Sequence, residues 1–109
     1  MLDSPPEPVS DIVGKNAARA AANLEAHKNA SPIHPAWINH CINRVKGEDG
    51  IVVKEALTPW VNLEFTKPGT FFSLGQGGAL GWGLGAALGM KAAAPEKLVI
   101  CAVGDGSYM

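Results

Sequence analysis

Residues 71–109 read FFSLGQGGALGWGLGAALGMKAAAPEKLVICAVGDGSYM, and the fold turns on how this stretch is read. A glycine-dense apolar run ends at a breaker, Ala94-Pro95-Glu96-Lys97, and the segment Leu98–Val103 follows. That segment is almost wholly apolar, which predicts a parallel strand buried on both faces rather than a half-wet antiparallel one. Directly after it stands Gly104-Asp105-Gly106-Ser107. In open α/β sheets, ligands sit just beyond the carboxyl ends of the strands. A carboxylate flanked by glycines there suits a metal or phosphate: glycine lets backbone N–H groups approach an anion, and Asp supplies a hard oxygen.

Composition sets the outer limits. A chain of 109 residues makes at most one domain with a modest core. Charged residues are 17% of it and the net charge is −1, so nothing in the balance calls for nucleic acid or an anionic membrane. Cys41 and Cys101 lie far apart, with one in an expected core strand; two reduced thiols of a cytoplasmic protein are expected. The opening Met-Leu-Asp-Ser-Pro-Pro-Glu-Pro has neither a basic start nor an apolar segment, and is not read as a signal peptide.

Working outward, residues 4–8 form a proline-rich lead-in. A helix is expected from Ser10, a capping residue, to about Asn29, with Ile12, Ala20 and Leu24 as its thin apolar stripe. A second is expected from Pro35 to Lys46, with Trp37, Ile38, Cys41, Ile42 and Val45 on one face. Ile51-Val52-Val53 reads as a short buried strand, and residues 54–70 as loop with a helical turn near Trp60–Phe65. The glycine run then divides into a loop, Leu74–Gly78, and a core helix, about Leu80–Ala93.

That run has a rival reading. No charge falls between Pro68 and Met90, and Gly77, Gly81, Gly85 and Gly89 recur every four residues, as in a membrane helix with a small-residue seam. Against it, seven glycines between positions 75 and 89 leave few large apolar side chains to drive insertion. A nucleotide site is no better supported. The run contains neither G-x-G-x-x-G nor G-K-S/T.

Three segments together carry a family resemblance: Ile51-Val-Val-Lys-Glu55, the run Gly77-Gly-Ala-Leu-Gly-Trp-Gly-Leu-Gly-Ala-Ala-Leu-Gly89, and Val103-Gly-Asp-Gly-Ser107. Over roughly residues 33–109 the chain resembles the thiamine-diphosphate-binding domain of the acetolactate synthase and benzoylformate decarboxylase superfamily. Gly85 stands where a proline is usual, and Leu80 matches decarboxylase-like members, where acetolactate synthases usually carry methionine. The resemblance implies an α/β fold: a parallel sheet flanked by helices, incomplete at its C-terminus. Residues 1–30 would be a linker and helix leading in from another domain, and 31–109 the N-terminal part of the cofactor domain.

It also implies roles. Asp105 would bind Mg²⁺, which bridges to the diphosphate, and Gly104, Gly106 and Ser107 would contact the same group. Leu80 would lie beneath the cofactor and hold it bent, while the Gly78 carbonyl accepts a hydrogen bond from its aminopyrimidine. Thr58 would be a further diphosphate contact. No catalytic side chain is expected in this chain, because the family takes its activating carboxylate from a separate domain. The activity implied is that of a fragment of an enzyme making or breaking C–C bonds beside the carbonyl of 2-oxo acids. It would need thiamine diphosphate and Mg²⁺, be a homodimer or tetramer when whole, and be cytoplasmic, with no nucleic-acid or membrane partner.

Plainer readings stand beside these. Asp105 also suits an Asp-Gly turn, Ser107 a helix cap, and Thr58 an ordinary loop. His34, His40 and Cys41 lack an evident fourth metal ligand, Glu55 reads as a partly buried loop acid, and Trp37, Trp60 and Trp82 as packing. Two other functions stay open: a non-catalytic remnant that only associates with other subunits, and a small membrane-interacting protein built on the glycine seam.

Overall fold

The computed structural model describes residues 9–56, 59, 62–73 and 79–109. The elements run α1 (Val9–His27), α2 (Pro35–Lys46), β1 (Ile51–Lys54), β2 (Phe71–Ser73), α3 (Trp82–Ala93), β3 (Val99–Ala102) and α4 (Asp105–Tyr108). The three strands form one parallel sheet in the order β2-β1-β3. The parallel sheet flanked by helices is the α/β architecture expected from the sequence.

β1 is the central strand, and its composition explains why. Val52 and Val53 are fully buried, and β-branched side chains fit the crowded, pleated middle of a sheet. Val52 faces Phe71 on one side and Ile100 on the other. Its N–H is taken by the Thr70 carbonyl at 2.9 Å, and the N–H of Ile51 by the Leu98 carbonyl at 2.9 Å.

Side chains alternate across a strand, so Ile51, Val53 and Glu55 share one face. α3 covers that face. Ile51, Val53 and Ala87 form the core, with Trp82, Ala86, Met90, Val99 and Cys101 packed around them. Burying this apolar cluster stabilises the layer by roughly 25 cal/mol per Å² removed from water. Gly83 and Ala87 are the buried residues of α3 and stand one turn apart on the same side. Glycine and alanine there let the helix backbone lie close to the strand.

β3 departs from expectation. Val99–Ala102 is half-buried throughout rather than buried on both faces, because β3 is a sheet edge and Leu88 and Leu98 beside it remain exposed. α4 continues from it within two residues, and β2 occupies positions 71–73, where the sequence suggested the start of the glycine run. Neither short element carries a periodic signal. The turn expected within 60–65 is not helical at its described positions, where Asn62 is left-handed with φ 65°.

The second helix is placed as expected but rotated. Ala36, Asn39 and Lys46 are its buried residues, while Ile38 and Val45 are 45% and 66% exposed. The reason is hydrogen bonding. The loop that crosses this face carries backbone carbonyls that need donors: Asn39 Nδ2 donates to Pro59 O at 2.9 Å, and Asn43 Nδ2 to Asn62 O. Lys46 lies over the Phe65 ring at 4.7 Å, and Phe65 packs on Phe71 at 4.6 Å. Asn62 in turn donates to the Ala20 carbonyl of α1 at 3.0 Å.

The histidines serve structure. Ala36 N–H donates to His34 Nδ1 at 3.2 Å, capping α2, and the His34 ring stacks on His27 at 3.8 Å. His40 stacks on Trp37 at 5.3 Å. Among the described residues no cluster of His, Cys, Asp and Glu has the makings of a metal site. Nor is any described helix long and apolar enough to cross a membrane; the glycine-rich α3 has 12 residues.

Candidate functional site

The carboxyl ends of β1 and β3 meet the start of α3, and most of the sequence-predicted site residues that are described gather there. Lys54 pairs with Ala102 as the last register of the two strands. Beyond it the backbone pairing continues: Glu55 N–H and Ala56 N–H both donate to the Ala102 carbonyl, at 2.8 and 3.0 Å. This fixes where the Glu55 side chain leaves the sheet. By alternation it points to the α3 side, where Gly81 and Gly83 present their N–H groups.

Glu55 is 5% exposed, and both carboxylate oxygens are engaged. Gly81 N–H donates to Oε1 at 2.6 Å and Gly83 N–H to Oε2 at 2.8 Å. Burial pushes this carboxyl up; donors from Gly81, Ser107 and Gly83 outweigh it and hold the group below its ordinary value. Across the strand pair, burial and the nearby Glu55 charge push the Cys101 thiol up, away from the reactive thiolate form.

Gly81 sits at φ +89°, in the left-handed region, and ends the turn that leads into α3. Leu80 precedes it and is 76% exposed, a large apolar side chain held out of the core. The Gly104–Ser107 segment lies against this turn: a Cβ placed on Gly81 would stand 3.6 Å from the Ser107 carbonyl oxygen.

Asp105 opens α4, exposed, with Oδ1 accepting the Gly106 N–H at 2.8 Å. Each carboxylate oxygen has two lone pairs, so among the described residues that bond leaves acceptor positions on both oxygens for a ligand. The Ser107 N–H donates to Gly104 O at 3.1 Å, within the turn. Added Cβ atoms on Gly104 or Gly106 would meet nothing within 4 Å among the described residues, so the backbone here is open to a ligand. Of the remaining sequence-predicted contacts, Thr58 and Gly78 lie outside the described residues.

Sequence reasoning read Glu55 as a partly buried loop acid and gave it no place in the site. Its signal was present as strand parity: an acid two positions past Val53 falls on the face that a glycine-rich helix covers. A buried carboxylate needs donors, and glycine N–H groups are the donors that can come closest.

Comparison with known proteins places the chain in a family. The profile of the family described as "Thiamine pyrophosphate enzyme, C-terminal TPP binding domain" matches residues 56–109. The chain is 51% identical over 93 residues, 82% of its length, to acetolactate synthase isozyme 3 large subunit of Escherichia coli (strain K12), of which this covers 16%. It is 36% identical over 84 residues to benzoylformate decarboxylase of Pseudomonas aeruginosa, covering 73% of this chain and 16% of that one. To pyruvate decarboxylase 1 of Nicotiana tabacum it is 41% identical over 73 residues, 63% of this chain and 17% of that one. No solved structure gives a significant match. The chain thus spans 16–17% of the length of these three relatives. The matched segment holds β2, α3, β3 and the Gly104–Ser107 turn, and through it the chain belongs to the thiamine pyrophosphate enzymes, carrying part of their C-terminal cofactor-binding domain.

Proposed function

We propose that this chain holds the diphosphate end of thiamine diphosphate through Mg²⁺ at Asp105, within an enzyme that makes or breaks C–C bonds beside the carbonyl of 2-oxo acids. The observation that carries the reading is the exposed Asp105 carboxylate on a segment that lies, through Ser107, against the Leu80–Gly81 turn at the strand ends. The names of two relatives, benzoylformate decarboxylase and pyruvate decarboxylase, point to 2-oxo acids as the substrate class.

The donor set fits the proposed groups. One hard carboxylate oxygen leaves most of a Mg²⁺ shell to phosphate oxygens and water, which is how this ion is usually held. Leu80 offers an apolar surface to a ring lying across it, and its 76% exposure leaves that surface accessible. Gly104 and Gly106 contribute open backbone beside Asp105. Ser107, two residues from Asp105, would offer its hydroxyl to the same diphosphate. Gly78 and Thr58 complete the proposed contact set. Bound thiamine diphosphate supplies the nucleophilic carbon and the electron sink for the C–C chemistry. The residues of this chain bind it, orient it and hold the metal; the carboxylate that activates it would come from another domain, in a cytoplasmic homo-oligomer.

The test is cofactor binding by the protein as its gene encodes it, followed by titration calorimetry with and without Mg²⁺. Metal-dependent binding that Asp105→Ala abolishes is expected. Binding that survives in that variant, or that ignores Mg²⁺, overturns the assignment of Asp105.

A further inference from the structure

Two loops would grip the two ends of the cofactor, and one buried residue ties them together. We propose that Glu55 is a positioning residue that sets the spacing between the Leu80–Gly83 turn and the Asp105–Ser107 turn, and with it how both ends of the cofactor are held at once. This rests on the reading of Leu80 and Asp105 given above.

Glu55 reaches residues 26 and 28 positions away in sequence, using a different oxygen for each: Oε1 for Gly81 N–H and Oε2 for Gly83 N–H. Gly81 is the neighbour of Leu80. From the other side, the Glu55 backbone is tied to the end of β3, its N–H donating to the Ala102 carbonyl at 2.8 Å, three residues before Asp105. The side chain and the backbone of one residue therefore hold the two segments whose relative placement matters.

The carboxylate is itself anchored. It leaves the sheet one residue past β1, whose pairing to β3 extends through the Glu55 N–H at 2.8 Å. The glycine opposite is matched to it, since a Cβ on Gly83 would stand 2.8 Å from Oε2 and 3.2 Å from Glu55 Cβ. Charge-assisted bonds from backbone N–H to a buried carboxylate are among the strong ones, and they hold direction as well as distance.

A positioning role separates from plain stabilisation when ligands of two sizes are compared. Full thiamine diphosphate needs both turns in register; inorganic pyrophosphate with Mg²⁺ needs only the Asp105 side. In the protein as its gene encodes it, Glu55→Gln replaces one acceptor oxygen with an amide that repels the N–H facing it. The expected result is a thiamine diphosphate affinity lower by about tenfold or more, with pyrophosphate affinity within about twofold of wild type. Gly83→Ala, which disturbs the same contact from the helix side, should give the same split and serves if Glu55→Gln fails to fold. Equal weakening of both ligands, or no weakening of either, overturns the proposal. A wild-type protein that binds neither ligand removes the cofactor-site reading, and this proposal falls with it.

Discussion

Gly83 donates its backbone N–H to Glu55 Oε2 at 2.8 Å, joining the first turn of α3 to the end of β1. The contact exists because position 83 has no side chain: an added Cβ would also meet Val103 Cγ1 at 3.5 Å. Two glycines of one helix therefore answer differently to the same substitution. Gly85→Ala meets nothing within 4 Å and should gain up to about 1 kcal/mol of helix propensity. Gly83→Ala makes the same gain but incurs overpacking of about 1–3 kcal/mol and loses a buried hydrogen bond. Thermal unfolding should show the melting temperature rising for the first variant and falling for the second.

Leu80 is a large apolar side chain that the fold leaves out. At 76% exposure its removal should shift unfolding stability by no more than about 0.5 kcal/mol. If it supports the cofactor as proposed, Leu80→Ala should nonetheless cut turnover of a 2-oxo acid by about tenfold or more in the whole enzyme, a transition-state effect of about 1.4 kcal/mol. Calorimetric unfolding and steady-state kinetics on one preparation check both halves; loss of stability in parallel with activity contradicts the assignment.

Asn39 represents the polar seam under α2. It is 3% exposed and donates to the Pro59 carbonyl at 2.9 Å. Asn39→Ala leaves that carbonyl without this donor, so a loss of about 1–3 kcal/mol in denaturant unfolding is expected. Val45→Ala, at a position 66% exposed, should cost under about 0.5 kcal/mol although valine is the more hydrophobic residue. Equal losses would mean that the apolar stripe, and not the amide one, is what packs.

Lys54 carries a pH dependence of definite sign. It is 5% exposed with Nζ donating to the Ala56 carbonyl at 2.6 Å, and burial lowers its pKa below the ordinary 10.5. Between that lowered value and 10.5, the unfolded chain binds more protons than the folded one. Stability from this residue should accordingly rise with pH through that alkaline window. Comparing wild type with Lys54→Met by urea unfolding at several alkaline pH values isolates the effect. The wild type should gain on the variant as pH rises, and a flat difference refutes it.

Some of this fold was legible in the chain itself. Pro35 marks the start of α2, and the break at Ala94–Lys97 separates α3 from β3. The valines of β1 announce a buried strand, and Gly104-Asp105-Gly106-Ser107 stands beyond the next strand's end as its order in the chain requires. Less legible were elements too short to show a period. Phe71–Ser73 spans three residues and Asp105–Tyr108 four, so β2 and α4 come from pairing and turn closure rather than from local pattern.

What the sequence determined by itself is local: helix period, strand composition, chain breaks, and the residue types that suit a diphosphate and its metal. These depend on near neighbours, whose spacing is set by the covalent chain. Tertiary structure alone decided which face of α2 is buried, because the loop's carbonyls needed the amides of Asn39 and Asn43 more than the core needed Ile38 and Val45. It also turned Glu55 from a strand-end acid into the tie between two turns. A buried carboxylate is stable only where donors converge on it, and convergence across 28 residues is a property of the packed chain.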